Sequence, residues 1–126
     1  MSRYTYFSER DFAGADPACS IEQMNPEFLS RLDRARAIAG VPFVINSAYR
    51  SVEHEKSRGR DGTSTHTKGL AVDIRTRHSH ERYRILKGLL DEGFSRVGIG
   101  EGFVHADMDP EKPHQLVWDY YPKPKK

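Results

Sequence analysis

From Ser64 to Asp73 the chain reads S-T-H-T-K-G-L-A-V-D, and this stretch restricts the fold more than any other. Leu70, Val72 and Ile74 alternate with Ala71 and Asp73, the period of a strand with one apolar face and one face free for other duties. His66 and Asp73 are seven residues apart, an odd offset that one straight strand would place on opposite faces. Thr67-Lys68-Gly69 must therefore turn the chain if His66 is to fold back beside Asp73. Further on, F-V-H-A-D sets His105 and Asp107 two apart on another strand, hence on one face. His66, Asp73 and His105 can then converge, and small Ala71 leaves room beside them. Two imidazoles and a carboxylate make a three-ligand zinc site with one position left for water.

The rest of the chain predicts a small α+β domain. Asn25-Pro26 is a helix start, a capping side chain followed by proline at the first helical position. Phe28, Leu29, Leu32 and Ala35 continue it with helical spacing to about Ala39, before Gly40. Val41–Tyr49 is rich in β-branched and aromatic residues and reads as a strand that delivers Ser47, Tyr49 and Arg50. A short helix is expected over Ser51–Ser57, and a loop from Gly59 to Ser64. Ser79 is the expected cap of a helix ending at Gly93, with Tyr83, Leu86, Leu89 and Leu90 as its apolar stripe. Val97–Gly100, Phe103–Met108 and Gln115–Tyr120 read as short strands. Without regular βαβ alternation, these elements imply a mostly antiparallel sheet flanked by helices.

At 126 residues the chain is expected to be one domain, 1–121, followed by a flexible Pro/Lys tail, 122–126. Lys and Arg number 20 against 18 Asp and Glu, a net charge of +2, so nucleic acid is not demanded as a partner. A His/Asp metal nuclease would want a basic, aromatic-interleaved face, which this sequence lacks. Cys19 is the only cysteine, which excludes an internal disulfide and leaves metal ligation to His and carboxylate. No apolar stretch approaches the ~20 residues of a membrane span, so membrane insertion is not expected. The N-terminus lacks the apolar core of a secretory signal, and synthesis in the cytoplasm is the expectation.

S-x-H-x-x-G-x-A-x-D (Ser64 to Asp73), S-A-Y-R-S (Ser47 to Ser51) and G-F-x-R-V-G-I-G before F-V-H-A-D (Gly93 to Asp107) closely resemble the zinc D-Ala-D-Ala carboxypeptidase family. That family shares its zinc site with lysostaphin-type peptidases and the Hedgehog signalling domain. Y-F-S-E-R-D-F near the start and L-V-W-D-Y near the end resemble its short, phage-type branch. The resemblance implies a zinc peptidase acting on peptidoglycan stem peptides, as carboxypeptidase or endopeptidase. It implies Zn²⁺ on His66, Asp73 and His105, with Arg50 on the scissile carbonyl or the developing oxyanion and Ser64 lining the cleft. Tyr49 and His114 are further candidates for substrate contact. A monomer is expected.

A general base is also implied, and here the chain departs from many relatives. They carry Glu or Asp three residues before the last ligand, where this chain has Gly102. Asp107, on the same strand face as His105, is the first candidate and Glu101 the second. Asp107 has an alternative role, orienting a ligand histidine. A wall-directed enzyme without a leader fits a phage or prophage lysis enzyme released by a membrane-permeabilising partner, or a virion-associated hydrolase. A non-catalytic zinc domain is the alternative.

Overall fold

The computed structural model describes residues 3–122; of the expected tail, all but Pro122 lies outside the described residues. The helices are α1 (Glu9–Ala13), α2 (Pro26–Ala39), α3 (Val52–Ser57) and α4 (Ser79–Glu92). The strands are β1 (Ile45–Ser47), β2 (Ala71–Arg75), β3 (Arg96–Ile99), β4 (Phe103–Asp107) and β5 (Leu116–Asp119). They form one sheet in the order β1-β2-β4-β3-β5. β1–β2, β2–β4 and β3–β4 are antiparallel, and only β3–β5 is parallel. The architecture is α+β, as the sequence predicts.

The alternation of β2 divides the molecule. Val72 and Ile74, with Val97, Val104 and Ala106 of the neighbouring strands, are buried against Phe28, Leu29, Leu32 and Ala35 of α2 and Ile85 and Leu89 of α4. Burying the valine, leucine, isoleucine and phenylalanine side chains among them contributes about 1.5–3 kcal/mol each relative to exposure, so this one face of the sheet holds the core together. α2 begins as expected, with Asn25 Oδ1 accepting from Phe28 N at 3.0 Å and Pro26 at the first position.

Three local expectations are corrected. The strand predicted over Val41–Tyr49 is ordered as a ladder only at Ile45–Ser47, and its register shifts there against β2. In α4 the cap is His78, whose Nδ1 accepts from Glu81 N at 3.2 Å, one residue before Ser79. The buried stripe of α4 is Glu81, Ile85, Gly88 and Leu89, while Tyr83 and Leu90 are exposed. Gly88 explains the rotation: a side chain there would meet the Ala35 carbonyl at 2.5 Å, so the helix crosses α2 through a face that apolar periodicity does not mark. Among the described residues, no helix is long and apolar enough to cross a membrane.

Candidate metal centre

The second face of the sheet carries polar groups in one transverse row. Ser47 on β1 pairs with Asp73 on β2, Asp73 with His105 on β4, His105 with Gly98 on β3, and Gly98 with Trp118 on β5. Paired residues share a face, so backbone register alone brings these five positions to one side. A second row sets Ala71 against Asp107. Ala71 is fully buried and lacks atoms beyond Cβ, so its side chain leaves room beside Asp73.

His66 enters this row from a 3-10 turn, Thr65–Lys68. Ser64 Oγ caps the turn by accepting from His66 N at 3.2 Å, and Thr67 Oγ1 donates to the Ser64 carbonyl at 2.6 Å. Gly69 ends it at φ +70°, and a Cβ there would lie 2.4 Å from the Gln23 carbonyl oxygen. Both conditions require glycine. The Gly69 carbonyl in turn accepts from Asn25 N at 2.9 Å, tying the turn to the start of α2. From below, Asp109, with no solvent exposure, accepts from Thr65 Oγ1 at 2.9 Å and from Lys68 Nζ at 3.0 Å.

His66, Asp73 and His105 offer ligand atoms that all lie within 4.8 Å of one another. His66 Nε2 is 3.5 Å and His105 Nδ1 2.9 Å from Asp73 Oδ1. The opposite ring nitrogens are already committed. His66 Nδ1 donates to the Ala48 carbonyl at 2.6 Å, which fixes the tautomer and turns the Nε2 lone pair toward Asp73. His105 Nε2 lies 2.6 Å from Asp107 Oδ2. A backbone carbonyl on one ligand histidine and a carboxylate on the other are the outer partners that metal-bound imidazoles require. The donor set, the spacing and the tautomers fit a divalent ion that takes nitrogen and oxygen, as zinc does.

Electrostatics bind the same groups together. Burial works to raise the Asp73 carboxyl, but hydrogen bonds and charge from His105 and His66 outweigh it and hold the carboxyl well below the usual range. Burial works to lower His105, and the Asp107 and Asp73 carboxylates outweigh it, leaving the imidazole above its ordinary value. Asp107 is 1% exposed. Its Oδ1 accepts from Arg96 Nε at 2.6 Å and from Asp109 N at 3.2 Å, so with His105 on Oδ2 both oxygens are engaged. Against the pull of burial, these partners hold its carboxyl low.

Around this centre opens a cleft of about 350 Å³. Arg50, Ser64, His66, Asp73, His105 and Asp107 line it together, so the structure gathers six of the candidate residues at one place. Glu101 lines a different, smaller cavity with Thr76, Arg77 and His78. His114 is exposed and bonds Ser95 Oγ at 2.6 Å and the Asp109 carbonyl at 2.8 Å. Tyr49 packs half-buried against the core. Neither His114 nor Tyr49 is among the residues lining the cleft.

Sequence reasoning missed Glu55, Arg60, Lys112 and Arg96 as cleft residues. Glu55 and Arg60 sit beside Arg50, and Lys112 faces Thr65. Arg96, 7% exposed, couples Asp107 to the Trp118 ring, its guanidinium carbon 4.9 Å from the ring centre. The signal for Arg96 was present as G-F-x-R-V-G-I-G, where an arginine stands in an otherwise apolar strand. Trp118 and Tyr120 form an aromatic wall, 5.6 and 6.4 Å from the His105 ring centre. Gly98 makes that wall possible, since a Cβ there would come within 2.7 Å of both Trp118 Nε1 and Tyr120 Cε2.

Comparison with known proteins agrees with this geometry. No curated protein matches the chain. The family model described as Peptidase M15 matches residues 8–107, a span that runs from the cap of α1 to the last residue of β4 and takes in all three candidate ligands, Arg50 and Asp107. The chain thus belongs to the Peptidase M15 family, the zinc D-Ala-D-Ala carboxypeptidase family that its motifs resemble, and is a metallopeptidase by membership.

Proposed function

We propose that this protein is a zinc-dependent peptidase that hydrolyses peptidoglycan stem peptides, as a D-Ala-D-Ala carboxypeptidase or a related endopeptidase. The observation that carries the proposal is the convergence of His66, Asp73 and His105 with the outer nitrogen of each imidazole already held. When bound there, zinc supplies Lewis acidity toward an amide carbonyl and acidifies a water toward neutral pH. The residues of the chain provide the rest. Arg50, always charged, lines the cleft and in this reading donates to the carbonyl oxygen as charge develops on it. Trp118, Tyr120 and Phe103 line the cleft and exclude water from the substrate chain.

Asp107 supports His105 in this reading. Both its oxygens are engaged and it is almost fully buried, so its first duty is to hold the ring. Replacing Asp107 by Asn separates the two roles proposed from the sequence. An orienting carboxylate costs metal affinity together with activity; a general base costs activity while zinc stays bound. The substrate lies outside the cytoplasm, which fits a phage or prophage lysis enzyme or a virion-associated wall hydrolase, acting as a monomer and without nucleic acid.

A second reading, a non-catalytic zinc domain, is favoured by Gly102, where many relatives place an acid and where a Cβ would meet nothing within 4 Å. Incubation of the zinc-loaded protein with purified peptidoglycan and defined stem peptides, with products identified by mass, decides between them. Loss of one terminal D-Ala identifies a carboxypeptidase and shortened cross-links an endopeptidase. No product from protein with zinc bound contradicts the enzyme reading.

A further inference from the structure

We propose that Glu55 is a positioning residue of this cleft, its buried carboxylate setting the Arg50 guanidinium against the space faced by His66, Asp73 and His105. The proposal rests on the role given to Arg50 above. Glu55 lies on α3, a helix of six residues whose phase is fixed by Ser51 Oγ accepting from His54 N at 3.0 Å. That phase turns Glu55 inward, to zero exposure, although both its neighbours in sequence are polar. A carboxylate is almost never fully buried unless it is paired. Its partners are two guanidiniums on the same oxygen: Arg60 Nη1 at 2.7 Å and Arg50 Nε at 3.4 Å from Oε2. The backbone wraps the same residue, since Arg58 N and Arg60 N both donate to the Glu55 carbonyl, at 3.2 and 2.9 Å.

Two atoms of this cluster are left over. Glu55 Oε1 and Arg50 Nε are buried and have no hydrogen-bond partner. Native structures keep few such atoms. No hydrogen bond joins the two. Arg50 is instead held loosely from two sides, by the Glu55 carboxylate and by Ser47 Oγ, to which its Nη1 donates at 3.3 Å. Ser47 belongs to the row that carries Asp73 and His105, so the guanidinium hangs between the sheet and α3. Arg60, half exposed, covers Glu55 toward solvent and takes part of its charge. Glu55 thus restricts the rotamers of a long side chain, leaving Arg50 oriented but not spent, which is what an oxyanion donor requires.

The test is a double-mutant cycle on Arg50→Ala and Glu55→Gln, read by kcat and KM on a defined stem peptide, by zinc content and by thermal midpoint. E55Q is expected to retain one equivalent of zinc and to lower kcat on the order of tenfold, with KM changed less. In the R50A background E55Q is expected to cost less than about twofold. An equal loss in both backgrounds overturns the proposal, as does wild-type kcat in E55Q or loss of zinc in step with activity. Should E55Q fail to fold, E55D keeps the charge, withdraws the carboxylate by one methylene and gives the same cycle. A readout independent of hydrolysis is the Arg50 Nε–H resonance of the metal-free protein. It is expected to shift and exchange faster in E55Q, and an unchanged resonance overturns the coupling. If the wild type cleaves no peptide, the proposed function falls while this resonance still decides the link between Glu55 and Arg50.

Discussion

The two walls of the cleft are built on opposite principles. On the metal side, β2 and β4 pair in register and both candidate histidine ligands have a fixed outer partner: Ala48 for His66 and Asp107 for His105, with Arg96 behind Asp107. On the arginine side, a six-residue helix and its flanking loops carry Arg50, Glu55 and Arg60, and Glu55 Oε1 and Arg50 Nε make no hydrogen bond. The contrast separates two tasks. A metal needs its ligands placed before it arrives, whereas a donor to the transition state must keep part of its capacity free.

The largest effects belong on the metal wall. Replacing His66, Asp73 or His105 by Ala is expected to abolish stoichiometric zinc uptake and to reduce hydrolysis to background, as titration calorimetry and product mass would show. D107N is expected to weaken zinc binding by about 10–100-fold. A change of that size confined to kcat would instead make Asp107 the general base.

Intermediate effects belong to the turn that brings the two walls together. G69A forces a side chain into φ +70° and against the Gln23 carbonyl, and is expected to cost on the order of 2 kcal/mol of stability in a denaturant titration. D109N removes the acceptor of Thr65 and Lys68. Burial works against the Asp109 carboxylate, but the Glu111 N–H, Lys68 and Thr65 together hold its carboxyl below the usual range. A depressed carboxyl contributes stability that is present above its unfolded value, about 3.9, and is lost as the pH falls through the folded value. The wild type should therefore exceed D109N in stability at neutral pH, and the gap should narrow in acid. The smallest effect is expected from E101Q, whose side chain lines a cavity separate from the cleft; activity should stay within about twofold, and a larger loss would make Glu101 a partner in catalysis.

The metal wall was legible in the sequence because strand parity is a strict rule. The alternation from Leu70 to Ile74, the pair His105 and Asp107, and the glycine at 69 showed how His66, Asp73 and His105 could converge, and the family resemblance singled them out as candidate ligands. The arginine wall was not, apart from Arg50 itself. Glu55 stands in the polar run V-E-H-E-K, where nothing local marks one acid for burial; its side is chosen by the Ser51 cap and by contacts distant in sequence. Periodicity likewise misplaced the inner face of α4, because packing buried Glu81 and Gly88 and left the more apolar Tyr83 and Leu90 exposed. The parallel placement of β5 on β3 was equally hidden, being set by the return of the chain from Pro113 and by the space Gly98 leaves for Trp118.

The most direct measurement is a zinc titration of the metal-free protein with bound metal and hydrolysis of a defined stem peptide followed on the same samples. Activity is expected to rise linearly and to stop at one equivalent, and both signals are expected to vanish in a variant lacking His66 and His105. Hydrolysis indifferent to added zinc, or one equivalent still bound tightly by that variant, would contradict a metal centre at His66, Asp73 and His105.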